Sequence, residues 1–216
     1  VAQHTLALIL GMANRLREAE EALRAGEFVR RLHLGGVELT NRVLGIVGLG
    51  RIGRRVARRA VAGLGMQVLA YDPYVHEGDP ATLVADLEEL LARADVVTLH
   101  VPLTDETRAF INATTLAHMK PDAFLVNTSR GGVIDERALG QVLAEGKLAG
   151  AGLDVYADEP PALDHPFLSA PRVLLTPHVA GLSDQALIRV ATEASQGIID
   201  VLQGRRPASP VNPEVL

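Results

Sequence analysis

The stretch VLGIVGLGRIGRRVA, residues 43–57, is an apolar run that breaks into three glycines and resumes with helix-forming residues. Gly48, Gly50 and Gly53 make a GxGxxG directly after a strand pattern and at the start of a helical one, the context that gives this motif its meaning. Gly48 permits the tight turn, Gly50 lets the backbone approach a pyrophosphate, and Gly53 allows the helix to pack on the strand. Phosphates would meet free N–H groups at the positive end of the helix dipole. Nineteen residues after Gly53 a second strand pattern ends in YDP. Asp72 then stands where a carboxylate accepts hydrogen bonds from an adenosine ribose and repels a 2′-phosphate, so the expected cofactor is NAD and not NADP. In the helix that follows the loop, Arg54, Arg55, Arg58 and Arg59 take one side and Val56, Ala57 and Ala60 the other, which reads as a solvated charged face. Arg51, inside the loop, is the arginine placed for phosphate contact.

Outward from this loop, short continuous apolar runs recur at 42–47, 67–71, 95–100, 123–127, 150–155 and 172–176, as parallel strands covered on both faces require. Helical patterns lie between most of them, at 52–62, 81–94, 112–119 and 135–146, the last with Asp135 as N-cap and Gly146 as stop. Strand and helix in alternation give an α/β fold, a doubly wound Rossmann-type parallel sheet in three layers. Residues 1–24 read as one helix, strongly apolar in its first half. A final helix at about 183–203 leads to a proline-broken tail. The expected layout is a single NAD-binding domain over 1–216, with an interdomain or dimer helix at 1–24, the sheet core at 42–183, and a C-terminal helix and tail at 184–216.

The 216 residues are 48% hydrophobic and contain no cysteine. That supports a buried core, offers no thiolate metal site or disulfide framework, and makes a reducing cytoplasm the default compartment. A net charge of −5 with no basic block argues against nucleic acid or an anionic membrane as partner. No apolar stretch reaches the roughly 20 residues a membrane helix needs. Small-molecule chemistry remains.

In an open α/β sheet ligands bind beyond the carboxyl ends of the strands. There the sequence places NTSRGG, DVYADEP and TPHVAG, which supply Arg130, Glu159 and His178. A guanidinium for a carboxylate or carbonyl, an imidazole to move a proton, and a carboxylate to hold that imidazole form a chemically complete set. Next to a hydride-carrying cofactor, that set suits alcohol–carbonyl interconversion.

The succession GLGRIG, YDP, HVPLTDETRAFIN, MKPDAFLVNTSRGGVIDERAL, GKLAGAGLDVYADEPP and PRVLLTPHVAG resembles the D-isomer-specific 2-hydroxyacid dehydrogenase family over residues 1–212. The resemblance implies that Arg130 binds and polarises a 2-oxo acid, that His178 is the acid/base, and that Glu159 pairs with it and favours its protonated form. It also implies that Arg51, Ile52, Asp72, Val101, Pro102, Thr107, Thr128, Ser129, Asp154 and Gly181 line the NAD site with the three loop glycines, Asp154 lying near the nicotinamide carboxamide. His100 is a family position read as a strand-end residue near the cofactor. His4, His33, His76, His118 and His165 have no evident partner and are given structural or solvent roles.

A glutamate at 159 favours hydroxyacid chemistry over formate oxidation, for which family members usually carry glutamine there. Within the family, GGVELTNRVLGIVGLGRIG and LAYDPY look most similar to 3-phosphoglycerate dehydrogenases, and glyoxylate or hydroxypyruvate reductases share the motifs. The family implies a homodimer through the cofactor domain and a preceding substrate lobe of about 100 residues. The chain opens with Val1 inside a helix-like pattern, which points to a cofactor domain cut from a longer enzyme. The alternative is a non-catalytic NAD-responsive protein of the same fold.

Overall fold

The computed structural model describes residues 1–212. The tail expected to run to 216 therefore ends outside the described residues. Two compact units divide the chain, Val1–Ala180 and the residues from Gly181 onward.

The apolar runs form strands because each is buried on both sides. β1 (Val43–Val47), β2 (Gln67–Tyr71), β3 (Thr82–Leu83), β4 (Val96–Leu99), β5 (Phe124–Asn127), β6 (Gly150–Leu153) and β7 (Val173–Leu175) make one parallel sheet in the order β3-β2-β1-β4-β5-β6-β7. Alternation sorts their side chains between two cores. Ile46, Phe124 and Val126 meet Leu8, Ile9 and Met12 of α1 (Ala2–Ala13) and Val56 and Ala57 of α3 (Arg51–Leu64). On the opposite face Val97, Leu99, Leu125 and Leu153 pack with Leu90 and Leu91 of α4 (Leu87–Arg93), Leu116 of α5 (Ala113–Leu116), Leu139 and Leu143 of α6 (Glu136–Ala144) and Phe167 of α7 (Pro166–Ser169). These are the three layers that the strand–helix alternation implies. The strand order reverses direction between β1 and β4, which creates the crevice in which such sheets hold ligands.

Three sequence expectations need correction. The helix expected over 1–24 is two helices, α1 and α2 (Leu16–Arg24), broken where Asn14 Nδ2 donates to Leu10 O at 2.9 Å and Arg15 turns left-handed at φ 51°. The Arg15 guanidinium donates to His33 O at 2.8 Å, so tertiary bonding holds a break that no glycine or proline announces. The helix expected over 81–94 starts at Leu87, because Asp86 caps it by accepting from Glu89 N, while Thr82 and Leu83 extend the sheet edge beside β2. The helix expected over 112–119 is the four-residue α5. Asp135 caps α6 as read, accepting from Arg137 N and Ala138 N, and Gly146 follows it at φ 65°. In the second unit, Ser183 caps α8 (Asp184–Leu202) by accepting from Ala186 N. Among the described residues no helix is long and apolar enough to cross a membrane.

Candidate active site

Every strand of the sheet except the short β3 delivers a candidate residue at its carboxyl end: Gly48 after β1, Asp72 after β2, His100 to Pro102 after β4, Thr128 to Arg130 after β5, Asp154 after β6 and His178 beyond β7. Parallel strands in one sheet bring these ends to one edge. The glycine loop closes as the motif requires. Gly48 sits at φ 93°, and a Cβ on Gly53 would come within 2.2 Å of Gly48 O. Gly50 is the N-cap of α3, receives no side-chain cap, and has nothing within 4 Å of where its Cβ would be. Open space over uncapped helical N–H groups fits a cofactor pyrophosphate.

Asp72 does more than end β2. Its Oδ2 accepts from Leu49 N at 2.8 Å and its Oδ1 from Tyr74 N at 3.0 Å, so the carboxylate ties the glycine loop to the second strand. Arg51 and Ile52, the first residues of α3, are exposed. Beyond β4, Thr107 Oγ1 donates to Pro102 O at 2.7 Å and accepts from Thr104 N at 2.8 Å, sealing the turn that carries Val101 and Pro102.

His100 is half-buried, yet its Nδ1 is buried without a hydrogen-bond partner and Nε2 lies 3.2 Å from Thr98 Oγ1. Burial pushes its pKa down to about 4. The ring is neutral in the neutral pH range.

The β5 loop is built on Asn127, whose Oδ1 accepts from Ser129 N and Ser129 Oγ while its Nδ2 donates to Arg130 O. A Cβ on the next glycine, Gly131, would lie 1.8 Å from Tyr156 C. That contact seats the Arg130 loop on the segment leading to Glu159. Arg130 itself is exposed, its Nη1 donating to Ser129 O at 2.6 Å.

Glu159 and His178 meet as the sequence suggests: Glu159 Oε2 stands 2.7 Å from His178 Nδ1, and Glu159 Oε1 accepts from Tyr156 N at 3.1 Å. The His178 hydrogen bond holds the Glu159 carboxyl below the usual carboxylate range. Tyr156 anchors this segment with its hydroxyl, which donates to Thr176 O at 2.8 Å, and burial pushes the phenol up to about 12. A pocket of about 360 Å³ opens beside the pair, walled by Tyr156, Pro160, Pro161, Leu175 and Pro177.

His178 sits in left-handed backbone at φ 53°, and the fully buried Asp154 holds it there. Asp154 O accepts from His178 N at 2.7 Å, Oδ1 from Val179 N at 2.9 Å and from Thr176 Oγ1 at 2.5 Å, and Oδ2 from Ala180 N at 2.8 Å. Thr128 likewise points inward, 2.9 Å from Thr5 Oγ1 on α1. Gly181 falls in the second unit. Several side chains without an evident partner in the sequence have one: His4 meets Thr176 at 2.9 Å, and His165 lies 3.2 Å from Glu136, whose other oxygen accepts from Ala157 N. Glu136, Tyr156 and Thr176 are the supporting residues that motif reading passed over.

A family model described as D-isomer specific 2-hydroxyacid dehydrogenase, NAD binding domain, matches residues 6–180. A D-3-phosphoglycerate dehydrogenase of Methanocaldococcus jannaschii is 43% identical over 98% of this chain and 41% of its own length. A glyoxylate reductase of Korarchaeum cryptofilum is 42% identical over 100% of this chain and 66% of its own length. The crystal structure of D-lactate dehydrogenase from Aquifex aeolicus complexed with NAD and lactic acid superposes with a TM-score of 0.85 at 36% identity, covering 94% of this chain and 66% of that one. The chain thus spans less than two thirds of each of these relatives.

Proposed function

The chain belongs to the D-isomer specific 2-hydroxyacid dehydrogenase family, as its NAD-binding domain, and from that premise we propose that it serves the NAD-dependent interconversion of a D-2-hydroxy acid and a 2-oxo acid. The observation that carries the reading is the His178–Glu159 pair at 2.7 Å, on the sheet edge that also carries the glycine loop. Bound NAD supplies the hydride acceptor at C4 of its nicotinamide. The chain's own residues then handle orientation and the proton.

With Nδ1 committed to Glu159, His178 has Nε2 left for the substrate: it takes the hydroxyl proton during oxidation and returns it to the carbonyl oxygen during reduction. The Glu159 carboxylate fixes the ring's orientation and stabilises the imidazolium that forms. Proton transfer of this kind contributes about 10²- to 10⁴-fold. Arg130 offers a planar fork to the substrate carboxylate, which fixes the carbon presented to the cofactor. Gly48, Gly50, Gly53, Arg51, Ile52, Asp72, Val101, Pro102, Thr107, Thr128, Ser129 and Asp154 form the proposed cofactor site. Thr128 and Asp154 serve it from beneath, since their side-chain oxygens are bonded inward.

The proposed partner is a small 2-oxo or 2-hydroxy acid, with a second copy of the chain as the protein partner. Leu23, Phe28, Val29 and Leu32 support the dimer: they expose 60% or more of their surface on one short segment. The lack of cysteine fits a cytoplasmic location. NADH oxidation with a panel of short 2-oxo acids, and NAD reduction with the matching D- and L-hydroxy acids, tests the reading. Turnover of a D-isomer, even slow, supports it; a chain that does not bind NADH overturns it.

A further inference from the structure

The sheet face beneath α1 turns polar at its carboxyl edge. Alternation that puts Ile46, Val126 and Leu174 in this layer also puts Thr98 and His100 of the β4 line there, Thr128 after β5, Asp154 after β6 and Thr176 after β7. The first turn of α1 answers with His4 and Thr5. Thr5 Oγ1 lies 2.9 Å from Thr128 Oγ1, and His4 Nε2 lies 2.9 Å from Thr176 Oγ1 and 3.5 Å from Asp154 Oδ1. An apolar helix therefore sets two polar side chains onto strand ends more than 120 residues away in sequence.

Proton inventory gives the His4 contact a direction. Thr176 spends its single hydroxyl proton on Asp154 Oδ1 at 2.5 Å, so its oxygen must accept from His4, and His4 must carry a proton on Nε2. The line runs from His4 Nε2–H to Thr176 Oγ1–H to Asp154. The same carboxylate accepts from Val179 N and Ala180 N, and the Asp154 carbonyl accepts from His178 N. Among the described residues His4 is the basic side chain that comes within 4 Å of this fully buried carboxylate. A non-glycine residue held left-handed relaxes when its anchors loosen.

We propose that His4 is a positioning residue for His178, acting through Thr176 and Asp154 to hold residues 177–180 in the turn that presents the imidazole. The proposal rests on the dehydrogenase reading of the His178–Glu159 pair. It makes α1 part of the catalytic support and not only a lid on the sheet.

Three variants of the full protein test it: His4→Ala, His4→Gln and Thr176→Val, with the double variant His4→Ala/Thr176→Val. His4→Ala is expected to lower kcat about fivefold to tenfold, the loss of one net hydrogen bond, with KM for the 2-oxo acid held within about twofold. His4→Gln, whose amide can still donate to Thr176, is expected to recover most of that loss. In the Thr176→Val background His4→Ala should add little, because the route is already cut. Hydrogen exchange at the Val179 and Ala180 amides supplies a readout independent of turnover, with about fivefold faster exchange in His4→Ala and none of that change in His4→Gln. Unchanged kcat and unchanged exchange in His4→Ala, an equal loss in His4→Gln, or additive effects in the double variant would overturn the proposal. A wild-type protein that binds no NADH would sink the dehydrogenase reading alone, and the exchange rates would still decide whether His4 holds the turn.

Discussion

Asp72 is the residue at which cofactor choice can be separated from loop architecture. Its carboxylate has two jobs. As an acceptor it holds Leu49 N and Tyr74 N, and in the proposed cofactor site its charge would lie near the adenosine ribose and repel the 2′-phosphate of NADPH. Two charges about 5 Å apart interact by about 1 kcal/mol at a dielectric of 80 and about 3 kcal/mol at 20, scaled up by the phosphate's extra charge. For a half-buried carboxylate about 2–3 kcal/mol is reasonable, which makes NADPH about 30- to 150-fold weaker than NADH. Leu49 is fully buried, so an alanine at 72 also leaves its N–H without a partner, at about 1–3 kcal/mol.

The two jobs predict different variants to differ. Asp72→Asn removes the charge but keeps one oxygen for Leu49 N, so NADH and NADPH should bind within about threefold of one another, with NADH weakened about tenfold. Asp72→Ala should show the same loss of discrimination and a further loss for both cofactors of about fivefold or more. Fluorescence titration with each cofactor measures all six affinities. If both variants weaken NADH alike and keep the wild-type preference, Asp72 anchors the loop without reading the ribose. Wild-type NADH affinity in Asp72→Ala would refute the argument for the loop as well.

Glu159→Gln keeps the shape of the pair and removes its charge, so kcat should fall about 10²-fold with NADH affinity unchanged, measured by steady-state kinetics beside titration; an unaltered kcat would remove Glu159 from the proton chemistry. For His100, the folded pKa of about 4 lies below the unfolded value of about 6.5, so the neutral ring's stability is complete above pH 6.5 and is lost as the pH falls toward 4. Urea unfolding of the wild type should lose about 2 kcal/mol between pH 7 and 5 that His100→Leu does not lose; parallel pH profiles would contradict the assignment. Leu32→Glu, on the exposed apolar segment after α2, should shift sedimentation from dimer to monomer without lowering Tm by more than about 2 °C. A wild-type protein that sediments as a monomer at high concentration would end the dimer proposal.

The sheet was readable because its strands are buried on both faces. Runs such as those ending at Val47 and Asn127 can be continuous, and a GxGxxG between strand and helix has few other uses. Asp135 was readable as a cap because its bonds are local, two and three residues ahead. The break at Arg15 was not, because its cause is a bond to His33 O eighteen residues on. Thr82 and Leu83 make a strand too short to show a period, and tertiary pairing with β2 decides them. Arg130, Glu159 and His178 could be found as strand-end residues, since topology alone gathers them. His4 could not, because its partner stands 172 residues away and an apolar helix gives no reason to single out one imidazole.

That contrast also orders the site's residues by what holds what. His178 and Glu159 expose 48% and 39% of their side chains, and an exposed ion pair is worth at most about 1 kcal/mol, too little to fix a left-handed turn. Asp154 is fully buried and takes three side-chain oxygen contacts within 2.9 Å, plus one at its carbonyl. Charge-assisted hydrogen bonds in a water-poor site are the stronger constraint. The rigid element of this sheet edge is therefore the buried carboxylate under the turn, and the proposed proton-transfer pair above it has its geometry set from below.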